Sequence, residues 1–260
     1  MSTESDQTEE QAIDFAQRLE NMLTEVLGQP SDGQYTADPQ GARKKRSASY
    51  LIKTRDPQGI SLTVGGSTIL RLSYRYQCSC RDSNSYLQVD ESAITLRAES
   101  DPAPIIHYDF VRDPHSAIPA AHINIHASND SATKAMLACG SKSQGKNRRK
   151  AFLEKGTFPT FSSLHFPVGG DRFRPGLEDV LQMAIYEFGI DAQPQWQQAI
   201  EQSRAEYRTR QISALVCEFP DIAYQALSQN GYLDSGTPPQ RPEREDTKSR
   251  LTKYLSLIHI

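Results

Sequence analysis

The spacing of apolar positions changes along this chain, and each change marks a new element. From Thr8 to Leu27 they recur every three to four residues, at Ala12, Phe15 or Ala16, Leu19, Met22 or Leu23, and Val26. That spacing predicts an amphipathic helix. Thr8 reads as its N-cap, with Glu9 and Glu10 in a first turn whose dipole favours acids, and Gly28 reads as its stop. Gln29 to Ser47 is polar and carries Pro30, Gly33, Pro39 and Gly41, which predicts a linker and not a strand.

From Ser49 the period falls to two. Tyr50, Ile52 and Thr54 alternate with polar residues, as do Ile60, Leu62 and Val64, and Gly65-Gly66 signals a hairpin turn. Ile69, Leu70, Leu72, Tyr74 and Tyr76 form a long run, and Asp82-Ser83-Asn84 marks the next turn. Tyr86–Val89, Ile94–Arg97, Ile105–Val111 and His122–Ala127 read as further strands. Short strands joined by short turns imply an antiparallel meander.

After Asn129 the signals become helical. Ser131–Cys139 reads as a short helix stopped at Gly140, followed by a basic loop from Ser141 to Lys150. Leu164-His165-Phe166 reads as a last strand. Pro175–Phe188 is predicted as a helix, with Glu178 and Asp179 near its start and Gly189 at its end. Two more helices follow, Pro194–Glu218 and Pro220–Ser228.

The expected fold is therefore α+β: a meander sheet of about six or seven strands packed by C-terminal helices, with an N-terminal amphipathic helix. The divisions are residues 1–28 (helix), 29–47 (flexible linker) and 48–233 (a single domain). Residues 234–254, rich in Pro, Gly and alternating charge, read as a disordered linker. The last six residues, Leu255–Ile260, resemble the translation of a sequencing adapter, so the natural chain is expected to continue past Tyr254.

Composition narrows the function classes. The chain has 260 residues, 37% of them hydrophobic, and the polar segments account for that low share. No run reaches the ~18 consecutive apolar residues of a membrane helix. Met1–Glu10 is acidic and polar, without a signal-peptide pattern, so the expected compartment is the cytoplasm. Four Cys rule out a disulfide scaffold; Cys78 and Cys80 lie one residue apart on a strand, and all four are expected as reduced thiols. A net charge of −3 excludes a general polycation, leaving two local basic runs: Arg43–Arg46, and Lys142 to Lys150.

The candidate chemistry centres on histidine. Alternation puts His122, Asn124 and His126 on one strand face and Ile123 and Ile125 on the other. Residues four apart on a strand stand about 13 Å apart, too far to share a metal ion. His107 and Asp109 share the polar face of the preceding strand. If the two strands pair antiparallel, Asp109 falls opposite His122 and His107 opposite Asn124. A carboxylate beside an imidazole fixes its tautomer and supports acid–base work, so Asp109, His122, His126 and His107 are the catalytic candidates. The competing reading is a half-exposed sheet face that tolerates polar residues. Arg172 and Arg174 precede a helix N-terminus and are candidates to bind an anion, or alternatively to pair with Glu178 or Asp179. Lys146, Arg148 and Arg149 are candidates to touch nucleic acid, though the run has no aromatic residue of its own; a solvated loop is the alternative. The sequence requires no metal or cofactor.

From about Ser67 to Gly231 the chain resembles an uncharacterised bacterial family. The carrying segments are His107-Tyr-Asp-Phe110, His122-Ile-Asn-Ile-His126, Leu164–Pro175 and Leu177-Glu-Asp-Val-Leu181. Tyr108–His126 also resembles small bacterial toxins of the TumE-like type, over about twenty residues of a chain far longer than such toxins. That resemblance implies a protein partner encoded nearby and action on RNA or nucleotides. Two functions follow as expectations: a nonenzymatic binding, interaction or regulatory module, or a toxin-like enzyme using His/Asp acid–base chemistry.

Overall fold

The period-two segment folds as one antiparallel sheet with helices against its apolar face. The computed structural model describes residues 4–28, 38–39, 49–79, 86–114, 118–138, 143–168, 174–233 and 236. The basic run Arg43–Arg46, the predicted linker 234–254 apart from Gly236, and Leu255–Ile260 lie outside the described residues, as do Cys80, Cys139 and Arg172.

The strands are β1 (Asp38–Pro39), β2 (Ser49–Lys53), β3 (Ile60–Val64), β4 (Ser67–Ser79), β5 (Gln88–Ala98), β6 (Pro104–Val111), β7 (Ala121–Ile125) and β8 (Phe166–Pro167). They pair in the order β1-β2-β4-β5-β6-β7-β8, with β3 also on β4. The thirteen-residue β4 takes β2 and β3 end to end along one edge: β2 pairs with 75–79 and β3 with 67–72. Between those two strands the chain leaves the sheet and returns at Gly59. Its φ is +82°, and an added Cβ would meet the Leu72 carbonyl at 2.7 Å, so only glycine fits there.

The meander was legible in the sequence; its margins were not. Asp38–Pro39, predicted as linker, pairs with Leu51 and Tyr50 at the sheet edge, where proline's missing N–H costs nothing. The two short runs around Val89 and Leu96 are one strand. The polar stretch Asp90–Ser92 stays extended because β4 and β6 pair with it on both sides. The last strand is Phe166–Pro167, displaced from the predicted Leu164–Phe166.

Alternation along each strand separates two faces. Tyr50, Ile52, Leu62, Leu70, Leu72, Tyr74, Tyr76, Cys78, Ile94 and Leu96 form the buried face. Three helices cover it: α1 (Glu4–Leu27), α4 (Leu177–Phe188) and α5 (Trp196–Glu218). Helix α1 buries Ala12, Ala16, Leu19, Met22, Leu23 and Val26, the stripe the spacing predicted. It begins at Glu4, so Thr8 lies inside it and is buried rather than capping it. Helix α4 buries Leu177, Val180, Leu181 and Ala184 and ends at left-handed Gly189, as predicted. It begins at Leu177, two residues after the predicted Pro175, with Gly176 as its cap: the Gly176 N–H donates to Asp179 Oδ2 at 2.9 Å.

Three further helices complete the chain: α2 (Asp130–Ala138), α3 (Ser143–Lys155) and α6 (Pro220–Gln229). Helix α3 corrects the sequence reading, which placed Ser141–Lys150 in a loop. The run continues as Ala151-Phe-Leu-Glu-Lys155, whose residues favour helix, and Lys150 pairs with Glu154 one turn on. Gly156, at φ +64°, ends it. None of the described helices is long and apolar enough to cross a membrane.

Candidate functional site

The other face of the sheet carries the candidate chemistry. Pairing of β6 with β7 puts Asp109 opposite His122 and His107 opposite Asn124, the register that parity implied. A short segment folds over the β7 end of this face, because Asn124 Nδ2 donates to the carbonyls of Ser162 and Leu164 at 2.9 and 3.2 Å. Helix α3 holds the same segment from outside, through Arg148 Nη2 and the Ser163 carbonyl at 2.8 Å.

These contacts sort the histidines into two edge-on pairs. His122 meets His165, and His107 meets His126, each with ring centroids 4.8 Å apart. Burial lowers the pKa of His107, Asp109 partly offsets that, and His126 adds to it. His165 is lowered by burial, then by His122 and Arg148, against a smaller opposing effect of Asp109. Both rings are thereby favoured in the neutral form. His126 Nε2 is buried and makes no hydrogen bond among the described residues. Among the described residues no three His, Cys, Asp or Glu side chains gather closely enough to hold a metal ion.

His122 is the best-defined of the four. Its side chain is 7% exposed, and Nδ1 lies 2.9 Å from the Pro119 carbonyl. A carbonyl only accepts, so the proton of the neutral ring sits on Nδ1. Nε2 then presents a lone pair, and Asp109 Oδ2 lies 3.7 Å from it. That separation is beyond a hydrogen bond. The Asp109 side chain keeps 27% of its surface exposed.

That surface faces a cleft of about 290 Å³. Its floor and rim come from Arg75, Glu91, Ala93, Asp109, Val111 and His122 on the strands, with Ser92 and Phe110 contributing between them; Pro114, Ile118 and Pro119 close it from the β6–β7 connection. That connection is anchored at both ends: Arg112 N–H donates to the Asp90 carbonyl, and Val111 N–H to that of Ala120, both at 2.8 Å. Arg75 and Glu91 stand 3.9 Å apart, each 53% exposed.

The sequence reading missed Arg75, Glu91 and the Pro119 carbonyl. A signal for the first two existed: they occupy polar parity positions on β4 and β5, facing the same way as Asp109. The carbonyl left none, because a backbone atom's partner depends on how the connection folds.

The remaining candidates do not join this cleft. The Arg174 guanidinium stacks over the Phe110 ring at 4.0 Å. Phe110 has the opposite parity to Asp109 and is 1% exposed, so this arginine belongs to the helix-covered side. Its charge also acts there on Tyr76 and Cys78. Burial, with Asp90 behind it, pushes the Cys78 thiol up to about 12, so it stays protonated. Cys217 is also a free thiol. On α3, Lys146 and Arg149 are exposed, whereas Arg148 is half-buried against the Ser163 carbonyl. An exposed aromatic does flank this helix: Phe158 packs on Phe152 with centroids 4.8 Å apart.

Comparison with protein-family models, with curated proteins and with solved structures finds no match to this chain.

Proposed function

We propose that this chain is a nonenzymatic binding module whose ligand sits in the Asp109 cleft. One observation carries the reading: the Pro119 carbonyl holds His122 Nδ1, so Asp109 and His122 Nε2 converge on the same point. In an acid–base relay the carboxylate grips one ring nitrogen and leaves the other to work on the substrate. Here the carboxylate stands beside the outward nitrogen, and a carbonyl takes the inward one. Such a pair can close on one donor from two sides. The position of Arg174 supports the same reading, because the cation expected to hold phosphate lies across the sheet. Arg75 stays at the rim beside Glu91.

Expressing the wild type beside His122→Ala and Asp109→Ala tests this directly. Three matching growth curves are expected. Growth arrest by the wild type, relieved by both substitutions, would overturn the proposal in favour of toxin-like acid–base chemistry on RNA or nucleotides.

A further inference from the structure

We infer that the ligand of this cleft presents a primary alkylammonium group, held between Asp109 Oδ2 and His122 Nε2. The inference rests on the binding-module reading and adds the chemistry of the ligand.

In its neutral form, with the proton on Nδ1, the His122 ring turns an acceptor towards a second acceptor, Asp109 Oδ2, at 3.7 Å. Two acceptors that face each other with no hydrogen between them repel through their lone pairs, at a cost that rises as water is excluded. A nitrogen carrying two or more N–H bonds can stand about 2.9 Å from each and donate to both. Backbone geometry fixes this arrangement: the Pro119 carbonyl sets the tautomer, and the β6–β7 register sets Asp109 opposite His122.

Charge points the same way. At the rim, Arg75 and Glu91 offset each other, leaving Asp109 as the net charge of the cleft. A partly buried carboxylate attracts a cation and repels phosphate or carboxylate ligands. Ile118 and Pro119 form an apolar wall beside it, suited to a short methylene chain behind the ammonium. Such a group occurs on a free alkylamine and on a lysine side chain of a protein partner. Both sources share the chemistry that the cleft selects.

The test uses the full chain labelled with ¹⁵N and follows the His122 ring nitrogens by NMR at mildly alkaline pH. Four small probes are titrated: n-butylammonium, n-butyltrimethylammonium, butyrate and AMP. A capped Ala-Lys-Ala tripeptide is the fifth. The expected result is a ring protonated on Nδ1, and a His122 Nε2 resonance that moves with n-butylammonium or the tripeptide. The tighter of those two names the source. The trimethylated analogue, which has no N–H, should bind at least about tenfold more weakly, as expected for loss of a charge-assisted hydrogen bond. Asp109→Asn, checked for native dispersion of its amide spectrum, should lose a similar factor. Equal binding of the trimethylated analogue overturns the inference, and so does a His122 proton on Nε2. A response of cleft residues to butyrate or AMP alone overturns the ammonium assignment but leaves the binding module intact. Silence with all five probes overturns the ammonium assignment, and the growth experiment then decides the module itself.

Discussion

The two faces of one sheet are held by different physics. On the helix-covered face, Leu72, Leu96, Tyr74 and Ile94 bury apolar surface against three helices, and no single bond fixes their arrangement. On the other face the apolar payload is small, and directional contacts do the positioning: Asn124 to two carbonyls, His122 to Pro119, Arg148 to Ser163. Dispersed packing makes the first face robust and chemically silent. Directional bonds make the second weaker but able to hold polar groups at set distances, which a binding site requires.

Truncating one residue on each face should separate the two most clearly. Leu72→Ala should cost about 3 kcal/mol by urea denaturation, because it leaves a cavity in a fully buried position. Thr95→Ala, on the opposite face of the neighbouring strand, should stay within about 0.5 kcal/mol. Similar losses at the two sites would refute the contrast. Asn124→Ala should fall between them, at about 1–2 kcal/mol, because two carbonyls lose their donor. The same variant should separate the His122 and His165 rings, seen as a change in their NMR shifts.

Acid should also divide the faces. His107 and His165 have pKa values lowered by burial from the ordinary 6.5. As pH falls below 6.5, the unfolded chain takes up protons before the folded one does, so stability drops until the folded-state values are passed. The urea midpoint should therefore decrease from neutral to mildly acidic pH, and His107→Asn with His165→Asn should flatten that slope. An unchanged slope would show that the pairs are more solvated than their burial implies.

A smaller effect tests a second carboxylate, at the β3–β4 turn. Asp191 accepts the N–H groups of Gly65 and Gly66 and the Thr63 hydroxyl, which lower its pKa from 3.8. Its contribution is present above that value and is lost as pH falls through the lower folded value. Asp191→Asn should accordingly melt below the wild type at neutral pH and converge with it in strong acid.

The covered face was legible in the sequence because burial leaves a periodic record. The α1 stripe, the alternation of β4 and the α4 spacing each repeat, and they identify the core residues directly. The polar face was half legible. Parity placed Asp109 with His122 and puts Arg75 on the same face, but it does not single Arg75 out, since solvent accepts any polar residue at such a position. Arg174 shows the converse failure. Its place before a helix suggested an anion site, yet the Phe110 ring occupies it, a contact between residues far apart in sequence. At Lys146–Lys150 the reason is local: charge density suggests a loop, although the same residues are good helix formers.

The packing of α1 has a consequence for how the chain is made. Its apolar stripe is covered by the sheet and by α5, and its C-terminal turn is tied down when Gln193 N–H reaches the Val26 carbonyl at 2.9 Å. On the ribosome, α1 emerges long before Trp196–Glu218 exists. At roughly 5–20 residues per second, the stripe waits on the order of ten to thirty seconds for its cover. Until then, whatever part of the stripe α5 covers stays open as a sticky surface on the nascent chain. The helix is therefore sealed long after it is made, and the time it spends open is set by translation speed.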